Sequence, residues 1–106
     1  MHNLTWTQAE KSLSRRLFDQ ALDAELADTL AQFKARAAAV SSPEAMWAIQ
    51  PFLADRQREI DAKYDYRYSQ LIIVFGRLLR EGRIQEAQLA GLSEDKQALI
   101  KHVGGL

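Results

Sequence analysis

The chain contains no cysteine. That removes disulfides, thiolate nucleophiles, thiolate metal sites and iron–sulfur ligation together. Glycine is absent from the first 75 residues, and the only prolines are Pro43 and Pro51. Excess charge is missing as well: 14 basic and 14 acidic side chains leave a formal net charge of zero over 106 residues. Such a surface exerts no general pull on phosphate or anionic lipid, which argues against a nucleic-acid-coating or membrane-surface protein. The longest apolar run, Leu71–Phe75, is far too short to cross a bilayer, so membrane insertion is not expected. Met1-His2-Asn3-Leu4-Thr5-Trp6 has no basic region followed by an apolar stretch and does not read as a signal peptide. Composition and length describe a single domain, residues 1–106, of a reducing, cytoplasmic compartment.

Catalytic side chains are equally scarce. The two histidines, His2 and His102, sit near opposite ends of the chain, and neither has an acidic residue at helical ligand spacing. Glu-x-x-His and His-Glu-x-x-His motifs are absent, which excludes the bundle di-iron and zinc-hydrolase patterns. Gly76, Gly82 and Gly91 are isolated within helical patterns and build no phosphate loop. The reading is therefore of a non-enzymatic protein with no catalytic residue, no metal and no cofactor.

What the sequence has in abundance is helix formers, and an all-α fold follows. Thr7-Gln8-Ala9-Glu10 is a capping box that opens a helix running to about Val40. Leu22, Leu26, Leu30, Phe33, Ala37 and Val40 form a near-heptad seam along it. Ser42 and Pro43 start a second helix, which Pro51 should break near Ile49–Gln50. From Phe52 to about Glu81 nothing else interrupts, and Leu53, Ile60, Tyr64, Leu71, Val74, Phe75 and Leu78 outline a buried face. Gly82 suits a left-handed C-terminal cap. A short helix at about Ile84–Ala90 and a last one at about Glu94–Val103 follow, with Gly104-Gly105 frayed.

Lengths bear on assembly. A helix over residues 8–40 measures about 50 Å, whereas a compact globule of this chain is roughly 33 Å across. A stalk over about 7–81 and a helical head over about 82–106 are expected, with the stalk's apolar face covered by a second copy in a homodimer of antiparallel type. Leu26, Leu30, Phe33, Phe52, Leu53, Ile60 and Tyr64 are its dimer-interface or core candidates.

The densest polar stretch, Asp55–Arg67, interleaves four acids with four bases. It reads either as a solvated face laced with weak pairs such as Glu59 to Lys63, or as a docking surface in which mixed charge sets orientation. Tyr64, Tyr66 and Tyr68, two apart on a helix, would point in different directions and form no single platform. Trp47, just before the Pro51 break, is either a core residue beneath the kink or an amphipathic anchor at an interface. The C-terminal helices could mimic a helix-turn-helix. Glu94 and Asp95 offset Lys96 and Lys101 there, and no arginine is available to read guanine, so no nucleic-acid partner is expected.

Several of these segments carry a family resemblance. Trp6-Thr7-Gln8-Ala9-Glu10, Phe52-Leu53, Glu59-Ile60-Asp61-x-Lys63-Tyr64-Asp65-x-Arg67, Leu78-Leu79-x-Glu81-Gly82 and Asp95-Lys96-Gln97 resemble the cyanobacterial fluorescence recovery protein family, in register and without gaps over almost the whole chain. The resemblance implies an all-α dimer with a stalk and a head. It further implies a protein that binds photoactivated orange carotenoid protein, speeds its return to the orange form, and helps detach it from the phycobilisome antenna. Photoprotective quenching then ends by conformational relaxation, without covalent chemistry. Localisation would be cytoplasmic, peripheral to the thylakoid-bound antenna.

The resemblance carries Trp47, Asp61, Asp65 and Arg67 over by identity; together with Gln50 and Gln57 at family positions, and Arg56 and Arg58 flanking Gln57, they make up the expected partner-binding surface. The family pattern Trp-x-x-His-Asp-Phe-Leu, with an arginine four residues after the leucine, is here Trp47-x-x-Gln50-Pro51-Phe52-Leu53 and then Gln57. A head aromatic is replaced by Ile73 and a head lysine by Leu99. The alternative reading is a dimeric all-α adaptor with a different protein client.

Overall fold

The computed structural model describes residues 4–105, and every described secondary-structure element is helical. His2 and the first residues of the N-terminal reading lie outside the described residues. Helix α1 (Gln8–Ala39) opens on the capping box: Thr7 Oγ1 accepts from the Glu10 amide at 3.1 Å, and Glu10 Oε1 accepts from the Thr7 amide at 3.0 Å. Ser42 Oγ accepts from the Ala45 amide and, with Pro43 in the first turn, opens the short α2 (Pro43–Trp47).

The break expected near Ile49–Gln50 falls at Ala48, and Pro51 explains the offset. A proline has no N–H for the carbonyl four residues back, here that of Trp47, and its ring collides with it. Helix α2 therefore stops at Trp47, and α3 (Ile49–Lys63) carries Pro51 in its own first turn, where the missing donor costs nothing.

The unbroken helix expected from Phe52 to Glu81 is instead two helices, α3 and α4 (Leu71–Arg80), separated by a strap over residues 64–70. Aromatic packing is the cause. The rings of Tyr64 and Tyr66 both meet Phe18 edge-on, with centroids 5.4 and 4.9 Å away. Residues two apart lie on opposite sides of a helix but on one face of an extended chain, so both contacts require the helix to unwind. Tyr66 then meets Tyr68, and Tyr68 meets Trp6, each at 5.8 Å. The three tyrosines thus share one aromatic ladder, contrary to the helical expectation, and only Tyr68 is exposed.

Helix α4 ends in a Schellman cap. The Arg83 amide donates to the Leu78 carbonyl and the Gly82 amide to that of Leu79, with Gly82 at φ +75°. A 3-10 turn (Glu86–Leu89) replaces the short helix expected at Ile84–Ala90, and α5 (Glu94–Val103) follows, capped by Ser93. Helices α4 and α5 pack against the first half of α1. Leu71, Ile72, Phe75, Leu78, Leu89 and Ile100 are fully buried there, alongside Leu17 and Phe18 of α1. Residues 71–80, expected in the stalk, therefore belong to the core of the head.

Gly104, expected to fray, is buried: a Cβ there would lie 2.9 Å from the Gly76 carbonyl oxygen. The same crossing leaves a Cβ on Gly76 only 2.5 Å from Val103 Cγ1. Beyond this head, the second half of α1 pairs with α2 and α3 as a projecting hairpin. The whole measures 53 × 25 × 23 Å with a radius of gyration of 16.8 Å, against about 13 Å for a compact chain of this length.

A second clasp holds the N-terminus to α5. Buried Lys96 donates to both oxygens of buried Glu10 (3.1 and 3.2 Å) and to the Thr5 carbonyl (2.7 Å), while the Ser93 amide donates to Glu10 Oε2 (2.8 Å). Burial works to raise the Glu10 pKa; the Thr7 and Ser93 amides and the Lys96 ammonium override it and hold the carboxyl down at about 2.

Two outcomes are expected. Gly76→Ala should lower stability by about 1–3 kcal/mol in urea melts through overpacking at Val103; an unchanged midpoint would show that the helix end simply yields. Because the folded pKa of Glu10 lies below its ordinary value of 4.5, its contribution is complete above that pH and lost as pH falls toward 2. Glu10→Gln should therefore flatten the acid limb of the stability–pH curve, and parallel curves for the two proteins would refute the assignment.

Candidate partner-binding surface

The boundary between head and hairpin is a charge cluster. Glu25 is the last buried residue of α1, and no residue from 26 to 59 is buried. Its carboxylate is reached from three places at once. Lys63 Nζ at the end of α3 donates to Glu25 Oε2 at 2.7 Å, the Tyr64 hydroxyl donates to Oε1 at 2.7 Å, and Arg83 Nε lies 3.5 Å from Oε1. Lys63 also donates to Glu81 (2.8 Å), which accepts in turn from Arg77 (2.9 Å), and Arg83 donates to Asp28 (2.6 Å). Burial and the adjacent Glu25 carboxylate push the Tyr64 phenol well above its usual range, so it stays a donor. Burial opposes ionisation of Glu81, but the bonds from Lys63 and Arg77 prevail and lower its pKa.

This cluster corrects the expected Glu59–Lys63 surface pair. Lys63 turns inward, and Glu59 faces Arg56 at 3.7 Å. The missed residue is Glu25, and its signal was positional: it continues the buried Ser14, Phe18, Ala21 spacing of α1, where an acid requires a buried partner.

Past the cluster, the hairpin leaves its apolar side bare. Leu26, Leu30 (52% exposed) and Phe33 on α1 line a cavity of about 260 Å³ with Leu53 of α3. Toward the head it continues into one of about 330 Å³ lined by Leu26, Leu53, Arg56, Gln57, Ile60 and Asp61. Toward the tip it widens to about 520 Å³ between Phe33, Ala37, Met46, Trp47, Gln50 and Leu53. Trp47 is 65% exposed at this tip, so it is not a core residue beneath the kink.

The other residues singled out in the sequence are distributed unevenly. Gln50 shares the tip cavity with Trp47, whereas Arg56, Gln57 and Asp61 share the cavity nearer the head, so five candidates lie along one groove. Arg58 is paired with Asp55 and lines none of these cavities. Asp65 and Arg67 pair with each other on the strap at 2.5 Å, apart from the groove. The guanidinium groups of Arg36 and Arg56 lie 3.9 and 5.5 Å from the Phe52 ring centroid. Ile60 and Tyr64 belong to the head core. Among the described residues no group of three or more His, Asp or Glu could hold a metal ion, and no helix is long and apolar enough to cross a membrane.

Removing the Glu25 carboxylate leaves Lys63 short of its main partner in a buried site. Glu25→Ala should destabilise the protein by about 3–5 kcal/mol, while Asp55→Ala on the exposed α3 surface should change stability by less than about 1 kcal/mol. Equal effects in parallel thermal melts would reduce the cluster to an ordinary surface network.

Known proteins share both sequence and geometry. The family model described as photoprotection regulator fluorescence recovery protein matches residues 6–104. A fluorescence recovery protein from Synechocystis sp. is 40% identical over 101 residues, which cover 95% of this chain and 93% of that protein. The crystal structure of a Synechocystis fluorescence recovery protein superposes with a TM-score of 0.92 at 39% identity, covering 96% of this chain and all of that one. Its Fremyella diplosiphon counterpart gives 0.91 at 30% identity over the same shares. The chain belongs to the fluorescence recovery protein family of photoprotection regulators.

Proposed function

We propose that this chain acts as a homodimer that binds the photoactivated orange carotenoid protein, accelerates its reversion to the orange form and detaches it from the phycobilisome, ending photoprotective quenching. The observation that carries the reading, beside family membership, is Trp47, two-thirds exposed at the tip of a continuous apolar groove. A large amphipathic ring held out in water is the anchor type on which protein interfaces concentrate binding energy. The role is regulatory and non-enzymatic: a binder that holds the relaxing intermediate more tightly than the active form shifts the client toward rest. It operates in the cytoplasm, peripheral to the antenna.

Leu26, Leu30, Phe33 and Leu53 form the dimer seam in this reading, since their exposure along one face is the kind of surface a second copy covers. Phe52, Ile60 and Tyr64 support the seam from within. Trp47, Gln50, Arg56, Gln57 and Asp61 border that seam and meet the client at its rim, while Arg58, Asp65 and Arg67 supply charge farther out. Gln50 and Gln57 favour a second reading, an adaptor for another client. They put uncharged amides where the family resemblance calls for histidine and arginine, beside a proline in place of an acid.

The deciding assay adds purified protein to photoactivated orange carotenoid protein and follows red-to-orange recovery in the dark. Faster recovery with a complex on size exclusion supports the regulator; an unchanged rate with no complex supports the other client. Trp47→Ala should weaken client binding by at least about tenfold and leave the dimer intact. If the dimer falls apart instead, Trp47 belongs to the seam. Leu30→Glu should yield monomers by light scattering, and a persistent dimer would move the seam elsewhere.

A further inference from the structure

Two charged side chains of α1 find no partner within their own chain. Asp23 and Lys34 are both exposed, and among the described residues neither joins an ion pair. The neighbouring acids of α1 are taken: Asp19 lies 3.3 Å from Arg15, Glu25 holds Lys63, and Asp28 holds Arg83. Asp23 and Lys34 cannot serve each other in one chain, since about 16 Å of helix separates them.

Both stand on one rim of the seam. At about 100° per residue, Asp23 lies about 20° and Lys34 about 40° around the helix from Leu30, on the side away from Leu26 and Phe33. A single edge of the exposed apolar stripe therefore carries an acid near the head and a base toward the tip.

We propose that the second copy covering this seam lies antiparallel, with Asp23 of each copy bound to Lys34 of the other. The inference rests on the dimer seam set out above and adds its orientation and register. About a two-fold axis, an edge of the seam meets the same edge of the other copy with the chain direction reversed. Leu26 of one copy then packs against Leu30 of the other, and the reverse. Asp23 stands three residues before Leu26 and Lys34 four after Leu30, so acid and base coincide along the axis to within about 1.5 Å. The axis passes near Asp28, whose carboxylate is bound to Arg83, so no like charges meet at the centre.

Other arrangements are penalised. A parallel pair sets Asp23 against Asp23 and Lys34 against Lys34, which is repulsive at both ends. Sliding one copy by about two turns sets Asp23 against Val40 or against Leu26, where its carboxylate loses water without gaining a partner. Charges flanking a helix seam set orientation in this way while the apolar stripe supplies the burial.

The test measures dimer dissociation by concentration-dependent light scattering for wild type, Asp23→Lys, Lys34→Asp and the double swap carrying both changes. Each single change brings like charges together at both ends of the seam and should weaken the dimer by at least about tenfold. The double swap exchanges acid and base and should restore wild-type affinity. Glu94→Lys makes the same change in net charge in the head, beside Ser93, whose amide binds Glu10 on the side of α1 away from the seam. It should leave the dimer unchanged. A monomeric wild type, or a Leu30→Glu variant that stays dimeric, overturns the seam reading and this inference with it. With that reading intact, single variants at wild-type affinity overturn this inference alone; a parallel dimer gives that result, because each change then exchanges one like-charge pair for another. Weakening that the double swap does not repair, or that Glu94→Lys reproduces, overturns it too.

Discussion

A carboxylate is kept out of water in this protein only because three cationic or phenolic groups converge on it. Glu25, on the middle of α1, binds Lys63 from the end of α3, Tyr64 from the strap and Arg83 from the loop after α4. No two of these groups share an element, so the cluster fixes where the hairpin leaves the head as well as holding the head together. Charges with this much burial make a weak source of net stability but a strict condition on geometry, because every misplacement leaves one of them unpaired. The strap depends on the same point: Tyr64 must be in reach of Glu25 while its ring meets Phe18, and Tyr66 must meet Phe18 from the same side. A backbone unwound from the helix over the strap meets all three demands.

From this pivot the molecule divides by solvent exposure. On one side, α4 and α5 cross closely enough that glycines at 76 and 104 are needed, and a dry core encloses Phe75, Leu78 and Ile100. On the other, the hairpin has no buried residue over positions 26–59, yet it displays leucines, a methionine and a tryptophan along one side. Stability is thus concentrated in the head, and the surface available for recognition in the hairpin. Proteins commonly separate the two, since surfaces that must be covered by a partner cannot also be satisfied by their own core.

Much of this was legible in the residues. Thr7 with Glu10, Ser42 with Pro43, Gly82 and Ser93 announce helix ends through local chemistry, and each stands where its side chain or φ demands. The heptad seam of Leu26, Leu30 and Phe33 likewise marked a single face. The strap was not legible, because Tyr64–Tyr68 carries no proline or glycine; what unwinds the helix is Phe18, more than 40 residues away in sequence. Lys63 was misread for a related reason. Glu59, four residues before it, is at ideal helical spacing, but a distant buried acid outweighs a neighbouring exposed one. Local signals place ends; long-range pairing decides interiors. For the candidate surface, Trp47 and Gln50 fell on one cavity, whereas Arg58, Asp65 and Arg67 left the groove because adjacent helix positions diverge by about 100° and the strap is not helical.

One helix, α1, belongs to both halves. Its first turns are walled into the head by Leu17, Phe18 and Ala21, and its last turns form one side of the bare hairpin. It runs its 32 residues without a proline, a glycine or an interruption. Such a rod works as a lever arm whose fulcrum lies near Glu25. Over the arm of about 21 Å from Glu25 to Ala39, a tilt of some 5° carries the far end through roughly 2 Å. Any load applied at the tip is therefore delivered, through continuous backbone hydrogen bonds, directly into the packed interior of the head.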